Sequence, residues 1–93
     1  MRLRALSLGA ALALLSAAAG AGEVKTINAK SFYPEGPLWF DGKLYYVEYA
    51  AHTVMTWDGV ENKQIWKQEG CGPAGLVATG GDLLVSCYDA NTI

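Results

Sequence analysis

The sequence contains little of what nucleic-acid binding or triad catalysis requires. Its 93 residues include 7 Lys and Arg against 9 Asp and Glu, and the basic residues form no run. Because phosphate binding needs clustered Lys and Arg, the composition argues against a nucleic-acid partner. The chain has one histidine, His52, and no Ser, Cys or acid stands at a spacing from it that would indicate a catalytic triad. We interpret His52 as a surface residue that enters a strand.

Helical periodicity is also missing beyond residue 21, whereas the preceding residues have the order of a secretory signal. Two arginines make a basic start, residues 6–19 are almost entirely Ala and Leu, and Ala19-Gly20-Ala21 fits a cleavage site. A membrane anchor is the alternative, but a spanning helix needs about 20 apolar residues and this run is shorter. We therefore predict a signal peptide at residues 1–21 and a secreted or periplasmic mature chain at residues 22–93, with no membrane attachment after cleavage.

Only two cysteines are present, Cys71 and Cys87, and no second Cys or His lies at a metal-ligand interval from either. Cys87 lies inside an apolar run, so we interpret it as a buried thiol, and we interpret Cys71 as a loop thiol. Export leaves a disulfide between them as the alternative, because such bridges form in oxidising compartments.

Short β-strands joined by tight turns account for the region after residue 37. Asp41-Gly42 is the strongest short hairpin signal, because both central residues tolerate a positive φ, and Asp58-Gly59 predicts a second turn. The predicted strands are 38–40, 43–49, 52–57 and 62–67. Four such strands make an up-and-down sheet.

The pattern then restarts at an offset of 39 residues, since Gly36 is matched by Gly75 and 75 − 36 = 39. The same offset pairs Leu38 with Val77, Gly42 with Gly81, Leu44 with Leu83, Tyr46 with Val85, Tyr49 with Tyr88, Thr53 with Thr92 and Val54 with Ile93. A four-stranded repeat of about 40 residues is typical of a β-propeller. We predict an all-β chain that holds the first blade of a propeller and part of the second. Because open edges and a small core are destabilising, we expect this part to be unfolded or aggregated when expressed alone.

The bend Glu35-Gly36-Pro37 enters the first strand of this repeat. In a propeller the first strand of each blade lines the central channel, so the bend is expected at one mouth of that channel. Hard divalent cations prefer oxygen ligands, and a carboxylate between Gly and Pro is held stiffly. A solvated turn acid is the alternative. The counterpart of Glu35 in the second unit is Ala74, so the scaffold does not need a carboxylate here.

Residues 32–39, Phe-Tyr-Pro-Glu-Gly-Pro-Leu-Trp, followed by residues 41–48, resemble the opening blade of the SMP-30/gluconolactonase/LRE-like family. Residues 70–76 and the run that follows to Tyr88 are similar to its second blade. The resemblance implies a six-bladed β-propeller that hydrolyses sugar-type lactones with a divalent metal, Ca, Zn, Mn or Mg, at the channel mouth. It implies Glu35 as the first metal ligand. The other ligands, an Asn and an Asp from later blades, would lie beyond Ile93.

Two further classes of function stay open beside a lactone hydrolase. One is a non-catalytic β-propeller that binds a protein or a carbohydrate, and the other is a strictosidine-synthase-like propeller. Some gluconolactonase-like members carry an Asn where this chain has Ala74, so no substrate-binding residue is assigned there. Glu48 is interpreted as a solvated acid at a strand end. Trp39, Trp57 and Trp66 are interpreted as packing between blades.

Overall fold

The computed structural model describes residues 22–93, so the predicted signal peptide at residues 1–21 lies outside the described residues. The described chain is all-β, as predicted, with six strands in two antiparallel sheets and no helix. The strands are β1 (Pro34–Phe40), β2 (Lys43–Glu48), β3 (Thr53–Trp57), β4 (Asn62–Lys67), β5 (Pro73–Thr79) and β6 (Asp82–Cys87). Across residues 22–93, no helix is long and apolar enough to cross a membrane.

The first sheet has the strand order β1-β2-β3-β4, which is the predicted up-and-down arrangement. Its first turn is Asp41-Gly42, where φ is 51° at Asp41 and 74° at Gly42. Two successive positive φ values make a type I′ turn, whose twist matches that of the flanking strands. The Asp-Gly pair therefore fixes the register of β1 on β2, with Phe40 opposite Lys43.

The turn between β3 and β4 is longer than a two-residue hairpin loop. Trp57 lies opposite Asn62, so residues 58–61 form the connection. The Asp58 carboxylate closes it by accepting hydrogen bonds from the backbone N–H groups of Val60 (2.9 Å) and Glu61 (3.0 Å). Because these two donors favour the charged carboxylate, with the bond from Glu61 contributing most, the pKa of Asp58 lies below its ordinary value.

The second sheet, β5 and β6, repeats the register of β1 and β2 at the offset of 39 except at the irregularity, where Glu35 lies opposite Val47 but Gly75 lies opposite Ser86. Leu38 lies opposite Tyr45 in the first sheet, and Val77 lies opposite Leu84 in the second. Both hairpins have an irregular register near the start of their first strand. Positive φ values recur at the same offset, at Tyr33 and Gly72, Asp41 and Gly80, and His52 and Asn91. The sequence repeat is therefore largely a repeat of conformation, with differences at Gly36 and Gly42, whose positive φ values do not recur at Gly75 and Gly81.

An apolar junction joins the two sheets, because β5 packs against β1 and β2. Val47 and Val54 are 0% and 4% exposed, and burial of each valine contributes roughly 2 kcal/mol. Their face of the first sheet shares a groove with the second sheet; the groove is lined by Val54, Ile65, Trp66, Leu76, Leu83 and Val85. At one end of this junction a Cβ on Gly36 would lie 2.9 Å from the Cα of Gly75. A side chain at Gly36 would therefore push the strands apart.

The three tryptophans do not share one environment. Trp66 lies in the groove between the sheets, in agreement with its interpretation as packing. Trp57 is half-buried at the end of β3. Trp39 differs, because 67% of it is exposed. It projects from the face that also carries Pro37, where the segment before β1 covers Tyr46 but leaves Trp39 exposed.

Candidate functional site

Glu35 lies near the start of β1, opposite Val47 of β2, and its side chain is exposed. The next residue, Gly36, has a φ of 57° and touches the second sheet. Only glycine combines this backbone conformation with so close an approach, so the bend fixes the position of Glu35 at the junction of the two repeat units. A depression of about 300 Å³ at this position is lined by Glu35, Tyr49, Ala74 and Tyr88.

Two tyrosines in matched positions define this depression. Tyr49 follows β2, and Tyr88 follows β6 at the offset of 39. The N–H of Tyr49 donates to the carbonyl of Tyr33 at 3.0 Å, and that of Tyr88 donates to the carbonyl of Gly72 at 3.0 Å. The backbone thus presents both tyrosines at the same end of the junction, on the two sides of the depression.

Asp89 connects the two repeat units at this end. Its Oδ1 accepts a hydrogen bond of 2.6 Å from the Tyr49 hydroxyl. This hydrogen bond raises the pKa of Tyr49, and the nearby charges of Asp89, Tyr88 and Glu35 add to the effect. Asp89 was not singled out in the sequence, because its counterpart in the first unit is Ala50 and the repeat therefore does not mark it. The matched tyrosines beside it were the available signal.

A metal ion bound at the end of the junction where Glu35 lies would be coordinated by oxygen atoms. Glu35 offers an exposed carboxylate, which fits a hard divalent cation. Within residues 22–93 there is no group of three or more His, Cys, Asp or Glu side chains that could hold a metal ion. The described residues therefore provide one candidate ligand at the bend and no complete set. Ala74, which stands where some gluconolactonase-like members carry an Asn, is half-buried and lines the depression.

Glu48 is buried, which corrects its interpretation as a solvated acid at a strand end. Only 6% of the residue is exposed. Its Oε2 accepts from the Ser31 hydroxyl (2.8 Å) and the Phe32 N–H (2.9 Å), and its Oε1 accepts from the Thr53 hydroxyl (2.9 Å). The segment before β1 folds back over the end of β2 and supplies the first two donors, and Thr53 of β3 supplies the third. A buried carboxylate is stable only with such partners, so Glu48 anchors that segment.

Cys71 and Cys87 form a disulfide, which corrects their interpretation as two free thiols. Cys71 is fully buried and Cys87 is 5% exposed. The repeat explains the pairing, because Cys71 is the counterpart of Phe32 (71 − 32 = 39) and Cys87 is the counterpart of Glu48 (87 − 48 = 39). In the first unit a carboxylate ties the end of β2 to the preceding segment, and in the second unit a disulfide ties the end of β6.

His52 lies in the turn before β3, as expected, but its side chain is only 24% exposed. Its Nδ1 accepts a hydrogen bond of 3.0 Å from the N–H of Gly72, which precedes β5. Its Nε2 lies 4.0 Å from a carboxylate oxygen of Glu69. The ring therefore bridges the two repeat units and has no contact with Glu35 in these hydrogen bonds. Asn91, its counterpart, lines a groove with Ala74, Tyr88 and Asp89.

Comparison of the chain with protein-family models, with curated proteins and with solved structures finds no significant match.

Proposed function

We propose that this chain is part of an exported, metal-dependent hydrolase of sugar-type lactones, with the six-bladed propeller of the SMP-30/gluconolactonase/LRE-like family. In this proposal β1–β4 are the first blade and β5–β6 begin the second. The repeated register and the repeated positive φ values support equivalent units. The packing of β5 against β1 and β2 supports neighbouring units whose first strands lie side by side, as around the axis of a propeller.

Glu35 is the observation that carries the proposal. Its carboxylate is exposed at the junction of the two units, beside a depression, on a bend that the Gly36 contact holds in place. Its counterpart is Ala74, so the acid is not a requirement of the fold. We assign Glu35 as one ligand of a divalent cation, Ca, Zn, Mn or Mg. The other ligands come from later blades, as the family resemblance implies.

The chemistry divides between the cation and the residues around the depression. A bound divalent cation supplies Lewis acidity toward a lactone carbonyl and makes water more acidic. Tyr49 and Tyr88 offer aromatic faces and hydroxyl groups to a polar, ring-shaped ligand. The Tyr49 hydroxyl donates to Asp89, so that the phenol side chain keeps one orientation at the edge of the depression.

Calorimetry and activity measurements on the protein that carries all the blades test this assignment. Glu35→Gln removes the charge while keeping the size, and it should abolish cation binding and lactone hydrolysis. Glu61→Gln is the matched control, because Glu61 is an exposed acid in the turn between β3 and β4. Activity should also disappear with a chelator and return with added cation. Unchanged cation affinity in Glu35→Gln would reject the assignment.

A non-catalytic propeller that binds a carbohydrate or a protein is the second candidate. The exposure of Tyr33 and Tyr88, each 75%, favours it, because exposed aromatic residues are enriched at binding surfaces. Ligand binding that persists in a chelator and in Glu35→Gln, without lactone hydrolysis, would identify this second function.

A further inference from the structure

His52 of the first repeat unit receives a hydrogen bond from the backbone of the second. Its Nδ1 lies 3.0 Å from the amide nitrogen of Gly72, and that N–H is the donor. Gly72 is buried between Cys71 and Pro73, which are buried as well. Because a buried N–H without an acceptor is strongly unfavourable, His52 supplies a partner that the second unit needs.

This hydrogen bond determines which nitrogen of the neutral ring carries the proton. A neutral imidazole has one N–H donor and one bare acceptor nitrogen. Since Nδ1 accepts from Gly72, the proton lies on Nε2. The nearest carboxylate oxygen of Glu69 is 4.0 Å from Nε2, which is too long for a hydrogen bond but close enough to attract the N–H. Gly72 and Glu69 therefore favour the same tautomer.

Gly72 in turn holds the residues that the second unit contributes beside Glu35. Its carbonyl accepts from the N–H of Tyr88 at 3.0 Å, and Tyr88 lines the depression. A Cβ on Gly72 would overlap the carboxylate of Asp89, so that carboxylate lies directly against the Gly72 Cα. Asp89 accepts the hydrogen bond from Tyr49. The position of Gly72 therefore affects both sides of the depression.

The fold does not need a titratable side chain at the position of His52. Its counterpart is Asn91 (91 − 52 = 39), and the φ values of the two residues are 61° and 55°. The N–H of His52 donates to the carbonyl of Tyr49 (3.4 Å), and that of Asn91 donates to the carbonyl of Tyr88 (3.3 Å). Asparagine has an acceptor, Oδ1, on the atom that follows Cβ, as histidine has Nδ1. The imidazole of the first unit therefore adds a property beyond the backbone conformation.

We propose that His52 is a proton-sensitive positioning residue, which holds Gly72 at the junction while its ring is neutral and releases it when Nδ1 is protonated. An imidazolium carries an N–H on both nitrogens, so it cannot accept from the Gly72 N–H. Histidine is the side chain whose charge ordinarily changes between about pH 5 and 8. The contact should therefore be present at the upper end of this range and be lost as the pH falls through the titration of His52.

Glu69 is the charged group nearest the ring, and it does not titrate in this range. Lys67 of β4 lies 3.1 Å from the Glu69 carboxylate. This hydrogen bond, then the charge of Lys67 and the charge of His52, lower the pKa of Glu69. Glu69 therefore keeps its charge while His52 titrates. It attracts the N–H on Nε2 in both states of the ring, so it does not replace the lost contact with Gly72.

Three more titratable groups lie around the contact. Asp89 packs on Gly72, Glu48 accepts from the residue that follows His52, and the Tyr49 carbonyl accepts from the His52 N–H. The hydrogen bond to Asp89 raises the pKa of Tyr49, so the phenol stays uncharged in the range of histidine. A change that came from Asp89 or Glu48 would persist after replacement of His52, and the experiments use this difference.

Nuclear magnetic resonance of the protein that carries all the blades tests the tautomer first. The ring-nitrogen signals of His52 are identified by their disappearance in His52→Asn. In the neutral ring they should show the proton on Nε2 and a bare, hydrogen-bonded Nδ1. A neutral ring with its proton on Nδ1 would overturn the proposal.

Hydrogen exchange of the Gly72 amide tests the release. Loss of one such hydrogen bond corresponds to roughly a tenfold loss of protection, so protection, corrected for the intrinsic effect of pH, should fall by about that factor as His52 is protonated. His52→Asn keeps an acceptor, tolerates the positive φ and does not titrate, so Gly72 should stay protected. His52→Ala should lose protection at every pH. The same fall in His52→Asn as in the unmodified protein would overturn the proposal.

Glu69→Gln is the matched control, because it removes the charge beside Nε2 and leaves the hydrogen bond to Nδ1. In this variant Gly72 should still respond to protonation of His52, and loss of the response would overturn the proposal. The Tyr49 ring reports the positioning. The signal of its hydroxyl-bearing carbon should shift with the titration of His52 in the unmodified protein and stay constant in His52→Asn. A Tyr49 signal that ignores His52 would overturn the positioning role. These measurements involve neither cation binding nor activity, so they are independent of the proposed function.

Discussion

Glu48 and Cys87 occupy the same position in the two repeat units, and each fastens the end of its strand to the segment that precedes the unit. Glu48 does so by accepting hydrogen bonds from Ser31 and Phe32, with a third from Thr53 of β3, and Cys87 does so through its disulfide with Cys71. Hydrogen bonds to a carboxylate thus stabilise this position in the first unit, and a disulfide stabilises it in the second. We expect the two interactions to be disrupted by different treatments.

Replacement of Glu48 by alanine should destabilise the first unit. The substitution leaves the Ser31 hydroxyl, the Phe32 N–H and the Thr53 hydroxyl without their acceptor, and we expect the free energy of unfolding to fall by about 2 kcal/mol. Urea unfolding at a fixed protein concentration measures the change. Glu61→Ala, at an exposed turn position, should leave the unfolding midpoint almost unchanged. Equal midpoints for the two variants would show that the Glu48 contacts are not stabilising.

The repeat predicts that the first unit can accept the disulfide of the second. Phe32 and Glu48 are the counterparts of Cys71 and Cys87, and the Phe32 N–H already lies 2.9 Å from the Glu48 carboxylate. In the double variant Phe32→Cys with Glu48→Cys, the two introduced thiols should pair with each other. Peptide mapping under non-reducing conditions would detect the bridge. Two free thiols in the oxidised double variant would contradict the equivalence of the two positions.

The native disulfide predicts that the oxidised protein has no free thiol. Titration under denaturing conditions should find none, and it should find both thiols after reduction. Its partners are 16 residues apart, and closing a loop of that size stabilises by about 3 kcal/mol. The urea midpoint should therefore fall under reducing conditions. In Cys71→Ser with Cys87→Ser the reductant should have no further effect, and a midpoint that still depended on it would point to another cause.

Alkaline titration should distinguish Tyr49 from the other tyrosines by its raised pKa. Because the hydrogen bond to Asp89 raises the pKa of Tyr49 in the folded state, this bond stabilises the fold below the ordinary value of 10.0, and the contribution is lost as the pH rises through the raised pKa. Asp89→Asn should lower the pKa of Tyr49, measured as the phenolate absorbance that Tyr49→Phe removes. Asp82→Asn, at the exposed first residue of β6, should leave this absorbance change in place.

Substitution of Gly36 should lower the free energy of unfolding more than substitution of Gly42, which also has a positive φ but lies in open space. Gly36→Ala would add a Cβ 2.9 Å from the Gly75 Cα, whereas Gly42→Ala meets nothing within 4 Å. Both glycines have a positive φ, so the unfavourable backbone conformation of each alanine should lower the free energy of unfolding by about 1 kcal/mol. The excess loss in Gly36→Ala, measured by urea unfolding, reports the contact between the sheets. Equal losses would mean that the sheets separate easily at this point.

The strands were predictable because turn chemistry and apolar runs act locally. Asp41-Gly42 fixed the first hairpin, and the matched glycines Gly36 and Gly75 revealed the repeat. Glu48 was predicted wrongly because its burial depends on the segment before β1, which has no periodic pattern that would indicate where it folds. The pairing of Cys71 with Cys87 was only the alternative, because Cys71 lies in the connection between β4 and β5, whose fold no local pattern indicates. The role of Glu35 stays a prediction.

The candidate site likewise contains one residue that could be recognised from the sequence and one that could not. Glu35 was recognisable from its bend, and the counterpart Ala74 marked it as exceptional. Asp89 was not recognisable, because its importance arises from a contact with Tyr49, 40 residues away in the chain. A single sequence does not reveal which acid such a contact selects.

The hydrogen bonds from Tyr49 to Asp89 and from Gly72 to His52 both cross between the repeat units at the end where Glu35 lies. The contact of Gly36 with Gly75 is at this end as well. In the turns Asp41-Gly42 and Gly80-Gly81, at the opposite end, a Cβ added to any of the glycines would meet nothing within 4 Å. The polar contacts between the two units are therefore concentrated at the Glu35 end, and only the apolar groove continues the contact toward the turns. Amide exchange should be slowest beside Glu35 and should quicken toward the turns, so that thermal motion of the sheets leaves the geometry around the carboxylate almost unchanged.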